Sequence, residues 1–143
     1  VAKRTLLTLA NELDQLGDKI AKDASDLSVT VATAVVTDLA LVTPVDTSEA
    51  ISNWIVALGA PSRQTIGPHF AGDFGSTFGA SSSQTISEAK AVLKAKAPGQ
   101  AIYISNNLTY IEDLNNGSSR QAPAGFVERA ELLGRKLVEQ GLK

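Results

Sequence analysis

The chain has one histidine, His69, and no cysteine. With Asp73 and one of the many serines, His69 could furnish the nucleophile, base and orienting acid of acyl-transfer chemistry. The motif that presents such a serine, Gly-x-Ser-x-Gly on a sharp strand-to-helix turn, does not occur. A metal centre with one imidazole and no thiolate would have to lean on carboxylates, and no calcium-type loop of clustered Asp and Glu is present. Glu112 and Asp113 are adjacent and so point to different sides of a helix. The glycine-rich run from Gly72 to Gly79 lacks the Gly-Lys-Ser/Thr ending of a phosphate-binding loop. No strand is predicted immediately before it. The expectation is a non-enzymatic protein with no catalytic residues, no cofactor and no metal.

A chain of 143 residues is expected to form a single domain, 1–143, with a sizeable core. Aromatic residues are 5% of the chain, so that core must be mostly aliphatic. The net charge of −2 and the scattered basic residues, none of them between Lys22 and Arg63, give no footprint for nucleic acid. Without cysteine there is no disulfide or thiolate site to build. Methionine is absent too, so removal of the initiator is expected. No basic segment followed by an apolar one opens the sequence, so no secretory leader is expected. No apolar run approaches the ~20 residues of a membrane-spanning helix, and no membrane partner is expected.

Several elements must position whatever the chain does. Leu6, Leu9, Leu13, Leu16, Ile20, Ala24, Leu27, Val31, Val35, Leu39 and Val42 recur at helical spacing and predict a long N-terminal helix over 1–42. A break near Asp26–Val29, where β-branched residues begin, is the alternative. The helix either spans the domain and packs on a sheet, or projects one end onto a neighbouring subunit. Pro44 ends it. Asp46 and Glu49 have the spacing of a capping box. Asn53–Gly59 reads as a strand, with Trp54, Val56 and Leu58 on one side and Trp54 as a core anchor. Residues 60–83 hold many Gly, Pro and Ser residues and read as a long flexible loop. Within it Phe70, Phe74 and Phe78 lie four apart beside Gly72 and Gly75. They are candidates for a surface that orders on a partner, or else they tuck under the loop as a small cluster. Gln84–Lys96 predicts a helix.

The stretch Ala101–Val127 changes character three times. Ala101–Ser105 alternates as a strand, with Tyr103 opposite Ile102 and Ile104. Asn106-Asn107 offers capping oxygens. Leu108, Ile111 and Leu114 mark a short helical turn, and Gly117 stops it in a left-handed C-cap. A C-terminal helix follows over 124–142, with Phe126, Ala130, Leu133, Leu137 and Val138 on its apolar face. The architecture expected is α+β: a long N-terminal helix packed on a small, mainly antiparallel sheet, a long flexible loop and a C-terminal helix.

Two blocks of this chain resemble a family of tailed-bacteriophage neck and tail-completion (head–tail joining) proteins. The first is Thr43-Pro44-Val45-Asp46-Thr47 with Ser52-Asn53-Trp54. The second is Ile102-Tyr103-Ile104-Ser105-Asn106-Asn107-Leu108, then Tyr110-Ile111, Gly117 and Gln121-Ala122-Pro123-Ala124-Gly125. The family usually has Gly where Ser48 stands, Pro at Thr109, an acidic residue at Asn115 or Asn116, and Met at Phe126. At Ser48 a right-handed, capped turn is expected instead. The resemblance implies a structural protein of the virion, assembled in the bacterial cytoplasm as a homo-oligomeric ring at the neck or tail terminus. Its implied partners are portal, adaptor or tail-tube proteins, with no specific nucleic-acid contact beyond passage of DNA through the ring. The alternative is a small monomeric phage- or host-encoded binding module that uses the Gly/Phe loop.

Overall fold

The computed structural model describes residues 5–143. Positions 1–4 of the predicted N-terminal helix lie outside the described residues. Helix α1 runs Leu6–Val42. The Thr5 hydroxyl accepts the Thr8 N–H at 3.1 Å and caps its start. At its other end the Thr43 N–H still reaches the Leu39 carbonyl at 3.1 Å before Pro44 turns the backbone away. There is no break at Asp26–Val29. Thr30 and Thr33 each donate a hydroxyl to the carbonyl four residues back, at 3.0 and 2.8 Å, so their side-chain donors are satisfied within the helix.

The next elements are α2 (Glu49–Ser52), β1 (Ile55–Leu58), α3 (Phe78–Leu93), β2 (Ile102–Ser105), α4 (Ile111–Asn115) and α5 (Phe126–Gly141). The architecture is α+β. β1 and β2 form a two-stranded antiparallel sheet in which Val56 faces Ile104 and Leu58 faces Ile102. Each strand is four residues long, so the sheet depends on the helices around it. The main core joins Val36 and Leu39 of α1, Val56 of β1, Leu93 of α3, Phe126 of α5, and Trp54. A second cluster joins Ala40, Val45 and Ile51, with Phe78 and Ile86 packed against it. Gly134 lets α5 lie close on α1: a Cβ there would stand 3.0 Å from Val35 Cγ2.

The segment predicted as a flexible loop over 60–83 is shorter and better held than expected. α3 begins at Phe78, six residues before the predicted Gln84. Ser81, Ser82 and Thr85 are buried in its first turns, with hydroxyls bonded to Phe70 O, Phe78 O and Ile51 O. A serine run that looks like loop in sequence is a polar seam inside the fold. Upstream, Asn53 pairs with the Ile66 backbone through both its amide nitrogen and its oxygen, each at 2.8 Å. Asn107 holds Ser62 O and Gln64 O.

Only part of α1 belongs to the domain. From Thr5 to Ala24 every side chain is exposed, and Ser25 is the first buried one. At 1.5 Å per residue this helix is about 55 Å long. A compact chain of this size is roughly 37 Å across. The N-terminal half therefore projects as an arm about 28 Å long. Contrary to the expectation from apolar runs, α1 contains an 18-residue window of mean hydropathy 1.5, so it meets the length and composition of a membrane span. Asp, Ser and Thr residues interrupt it, so no single apolar run shows it. In this fold Val36, Leu39 and Ala40 of the same helix are core residues, 0–3% exposed. Val138, placed on the apolar face of α5, is exposed.

Candidate interaction surfaces

The two sequence blocks, 43–54 and 102–125, meet in space. Gln121 bonds both backbone groups of Val45: its Oε1 accepts the Val45 N–H at 2.6 Å and its Nε2 donates to Val45 O at 2.8 Å. The side-chain amide thus takes the place of a neighbouring strand. Tyr110 donates its hydroxyl to Glu49 Oε2 at 2.8 Å. Asn106 donates to Ala50 O at 2.9 Å. Together these bonds fasten 44–50 to 106–121 around a crevice of about 140 Å³, lined by Pro44, Asp46, Ser48, Tyr110 and Leu114 among others. Burial, then the bond to Glu49, pushes the Tyr110 hydroxyl well above its ordinary pKa.

The turn at the head of this crevice differs from the expected capping box. Ser48 is buried and left-handed, at φ +69°, with no side-chain cap bond. This conformation costs a non-glycine residue roughly 1–2 kcal/mol. Its hydroxyl meets Thr77 Oγ1 at 2.8 Å, and its carbonyl accepts Ser52 Oγ at 2.7 Å and Ser52 N at 3.1 Å, which hold the turn in place. Asp46 caps a different segment. Its Oδ1 accepts the Phe74 N–H and its carbonyl accepts the Gly75 N–H, both at 2.8 Å. Glu49 is occupied by Tyr110.

That clamp separates the three phenylalanines predicted to act together. Phe78 opens α3 and packs on the second core cluster. Phe70 is half-exposed, its backbone N–H and carbonyl both bonded to Ser81 Oγ. Phe74 is 96% exposed. It also sits at φ +57°, followed by Gly75 at φ +72°. A strained backbone fastened at two points holds an aromatic ring out in water, over a hollow lined by Leu41, Val42, Pro44, Val45 and Phe78. Gly72 has no room for a side chain, since a Cβ there would meet Ser76 Oγ at 2.5 Å and Thr77 Cγ2 at 2.6 Å.

The other predicted motif residues serve structure. Trp54 is buried, and its indole N–H donates to Thr43 Oγ1 at 2.8 Å. Gly117, at φ +95°, closes α4 as expected: its N–H reaches Leu114 O and the Ser118 N–H reaches Asp113 O, the two bonds of a Schellman cap. Pro123 leads to Gly125, which at φ +84° precedes α5 and donates its N–H to Asn115 O at 2.7 Å. Asn115 also holds both Glu128 carboxylate oxygens at 2.9 Å, and this bond keeps the Glu128 pKa low. Tyr103 is partly exposed on the outer face of β2. His69 faces Glu88 at 3.5 Å. Among the described residues no group of three or more His, Asp or Glu could hold a metal ion.

The sequence placed the arm residues in one apolar stripe and left open whether that end of the helix packs on the domain or projects; in the structure it projects. Leu6, Leu13, Leu16 and Ile20 are 53–87% exposed, and Leu9 is 42% exposed. The signal was present: an apolar stripe that continues for more length than the domain can cover. Comparison with protein-family models, with curated proteins and with solved structures finds no match to this chain.

Proposed function

We propose that the protein is a non-enzymatic structural subunit of a phage virion that forms a homo-oligomeric ring at the neck or tail terminus. The observation that carries this reading is apolar surface left uncovered at both ends of α1. At one end lies the arm stripe from Leu6 to Ile20, and at the other Phe74 stands over Leu41 and Val42. Single exposed apolar residues are ordinary, but a sustained stripe and a fully exposed, backbone-clamped aromatic ring mark surfaces made to be covered. A ring subunit needs complementary side faces and no reaction centre, and Phe74 supplies one such face. Phe74 is the anchor of a contact that closes by rotation. The resemblance of the two sequence blocks supplies the virion context, with portal, adaptor or tail-tube proteins as neighbours.

The test is Phe74→Ser in the phage that encodes the chain. A folded protein, by circular dichroism, that is missing from purified particles is the expected result. Normal incorporation and titre would overturn the anchor role. A wild-type chain that stays monomeric and indifferent to every neck component would instead favour the monomeric binding module.

A further inference from the structure

The exposed arm has the pattern of a self-complementary helix. Written in heptads, Leu6, Leu13 and Ile20 occupy a positions, and Leu9, Leu16 and Asp23 occupy d positions. One flank, position e, carries only small residues, Ala10, Gly17 and Ala24. The other, position g, carries Glu12, Lys19 and Asp26. Among the described residues, nothing beyond its chain neighbours and its own helix backbone lies within 4 Å of a Cβ built at Gly17. Asp14 and Asp18 fall at b and f, on the face away from the seam.

We infer that the arm pairs with the arm of a second copy, antiparallel, across a two-fold axis between residues 14 and 15. In this register Leu13 packs against the partner's Leu16 and Leu9 against the partner's Ile20. Each layer recurs on the far side of the axis, which gives four apolar layers.

Three observations select this arrangement over its neighbours. The first is charge. An antiparallel seam sets g against g, and here Glu12 of each copy falls beside Lys19 of the other. Sliding by one heptad in one direction sets Glu12 against Glu12. Sliding in the other direction sets Lys19 against Lys19 and Glu12 against Asp26. The second observation is Asp23. A parallel pair would face two Asp23 carboxylates in the seam and would match Glu12 and Lys19 with Gly17 and Ala24, which supply no opposite charge across the seam. The antiparallel register instead moves Asp23 to the end of the overlap, beside Leu6. The third is length. The overlap runs from residue 6 to residue 23, and burial inside the domain starts at Ser25. The arm tip therefore ends where its partner's body begins.

The small residues at e let the two backbones approach closely on that flank, Ala10 of one copy beside Gly17 of the other. Lys19 also donates to Asp23 of its own helix at 3.0 Å, an exposed pair that the intermolecular one joins or replaces. This two-fold contact does not rest on the virion reading. In a ring it would join subunits of two stacked rings, or hold pairs together before assembly.

Because the chain has no native cysteine, the register can be read by cross-linking. Ala10→Cys and Gly17→Cys proteins are prepared separately and oxidised alone and as a mixture. The expected result is a disulfide-linked dimer in the mixture, with little from either protein alone. Efficient linkage in both separate samples, or none in the mixture, overturns the register. In parallel, sedimentation equilibrium measures the dimer constant of charge variants. Lys19→Glu and Glu12→Lys should each weaken the dimer about tenfold, and the double exchange should restore it. The restoration excludes an effect of the lost Lys19–Asp23 pair, which the exchange does not repair. Leu16→Asp, at a side chain the lone domain leaves in water, should give a folded monomer. A dimer that survives Leu16→Asp, or charge variants with unchanged constants, would overturn the inference. A ring that assembles without the Ala10–Gly17 cross-link would remove this contact while leaving the ring reading standing.

Discussion

Replacing Thr43 by Val should destabilise the protein through one orphaned donor. Thr43 is 2% exposed, and its hydroxyl does two things: it donates to Leu39 O at 2.6 Å and accepts the Trp54 indole N–H at 2.8 Å. Valine keeps the shape and removes the hydroxyl. The Leu39 carbonyl still accepts the Thr43 backbone N–H at 3.1 Å, so it stays bonded. Trp54, 7% exposed, keeps its N–H in the core with nothing to receive it. An unmet buried donor costs about 1–3 kcal/mol, and that is the expected loss for Thr43→Val. Trp54→Phe removes the same donor, so in the Thr43→Val background it should cost less than alone, by roughly 1 kcal/mol of coupling. Trp54→Ala, which empties the site, should cost about 3–5 kcal/mol and give insoluble protein. Urea titration followed by far-ultraviolet circular dichroism measures each value, with unchanged slopes confirming the same unfolded reference. Additive Thr43→Val and Trp54→Phe effects, within ~0.3–0.5 kcal/mol, would refute the reasoning.

Other consequences follow from the bonds around the crevice and α5. Gln121→Ala should cost roughly 1–3 kcal/mol by leaving the Val45 backbone unpaired, and urea titration would detect it; a neutral result would mean the staple is replaced at no cost. Tyr110 has a folded pKa above its unfolded value near 10.0, so the stability it contributes is complete below that pH and is lost as pH rises through the folded value. Tyr110→Phe should therefore flatten the alkaline limb of a stability–pH curve, and identical curves would contradict the Glu49 bond. Glu128 behaves oppositely: its folded pKa lies below 4.5, so its contribution is present above that pH and lost as pH falls through the folded value. Asn115→Ala should move the Glu128 titration, followed by NMR, up toward the ordinary carboxylate range.

The elements with strong local periodicity were legible in the sequence, and those fixed by tertiary bonds were not. The Leu and Val spacing of α1, the alternation of β2 and the Asn-Asn-Gly stop after α4 are local signals that the structure bears out. Even so, α4 begins at Ile111, three residues after Leu108, and Asn106 and Asn107 spend their amides on Ala50, Ser62 and Gln64 instead of capping it. Ser81-Ser82-Ser83 carries no local mark of burial. It becomes helix because Phe70, Ile51 and Phe78 supply carbonyls for the hydroxyls of 81–85. Asp46 has the spacing of a cap but spends its acceptors on Phe74 and Gly75, nearly thirty residues away. Ser48 was expected in a right-handed turn, and a long-range bond to Thr77 with a local one from Ser52 holds it left-handed instead. The same limit applies to the phenylalanines. Equal spacing in sequence put them together, while the fold packs Phe78, partly buried, against the second core cluster and leaves Phe74 in water. A stripe of apolar residues predicts a helix face but not what covers it, and half of the α1 face is left bare by its own chain.

The most direct test of the account is the solution mass of the purified protein by light scattering, at about 100 μM. The account predicts a species at a multiple of the 14.9 kDa chain, reduced by Leu16→Asp and by Phe74→Ser without loss of helical signal. A wild-type particle that stays at 14.9 kDa at this concentration would contradict it, because both ends of α1 would then be surfaces with nothing to cover them.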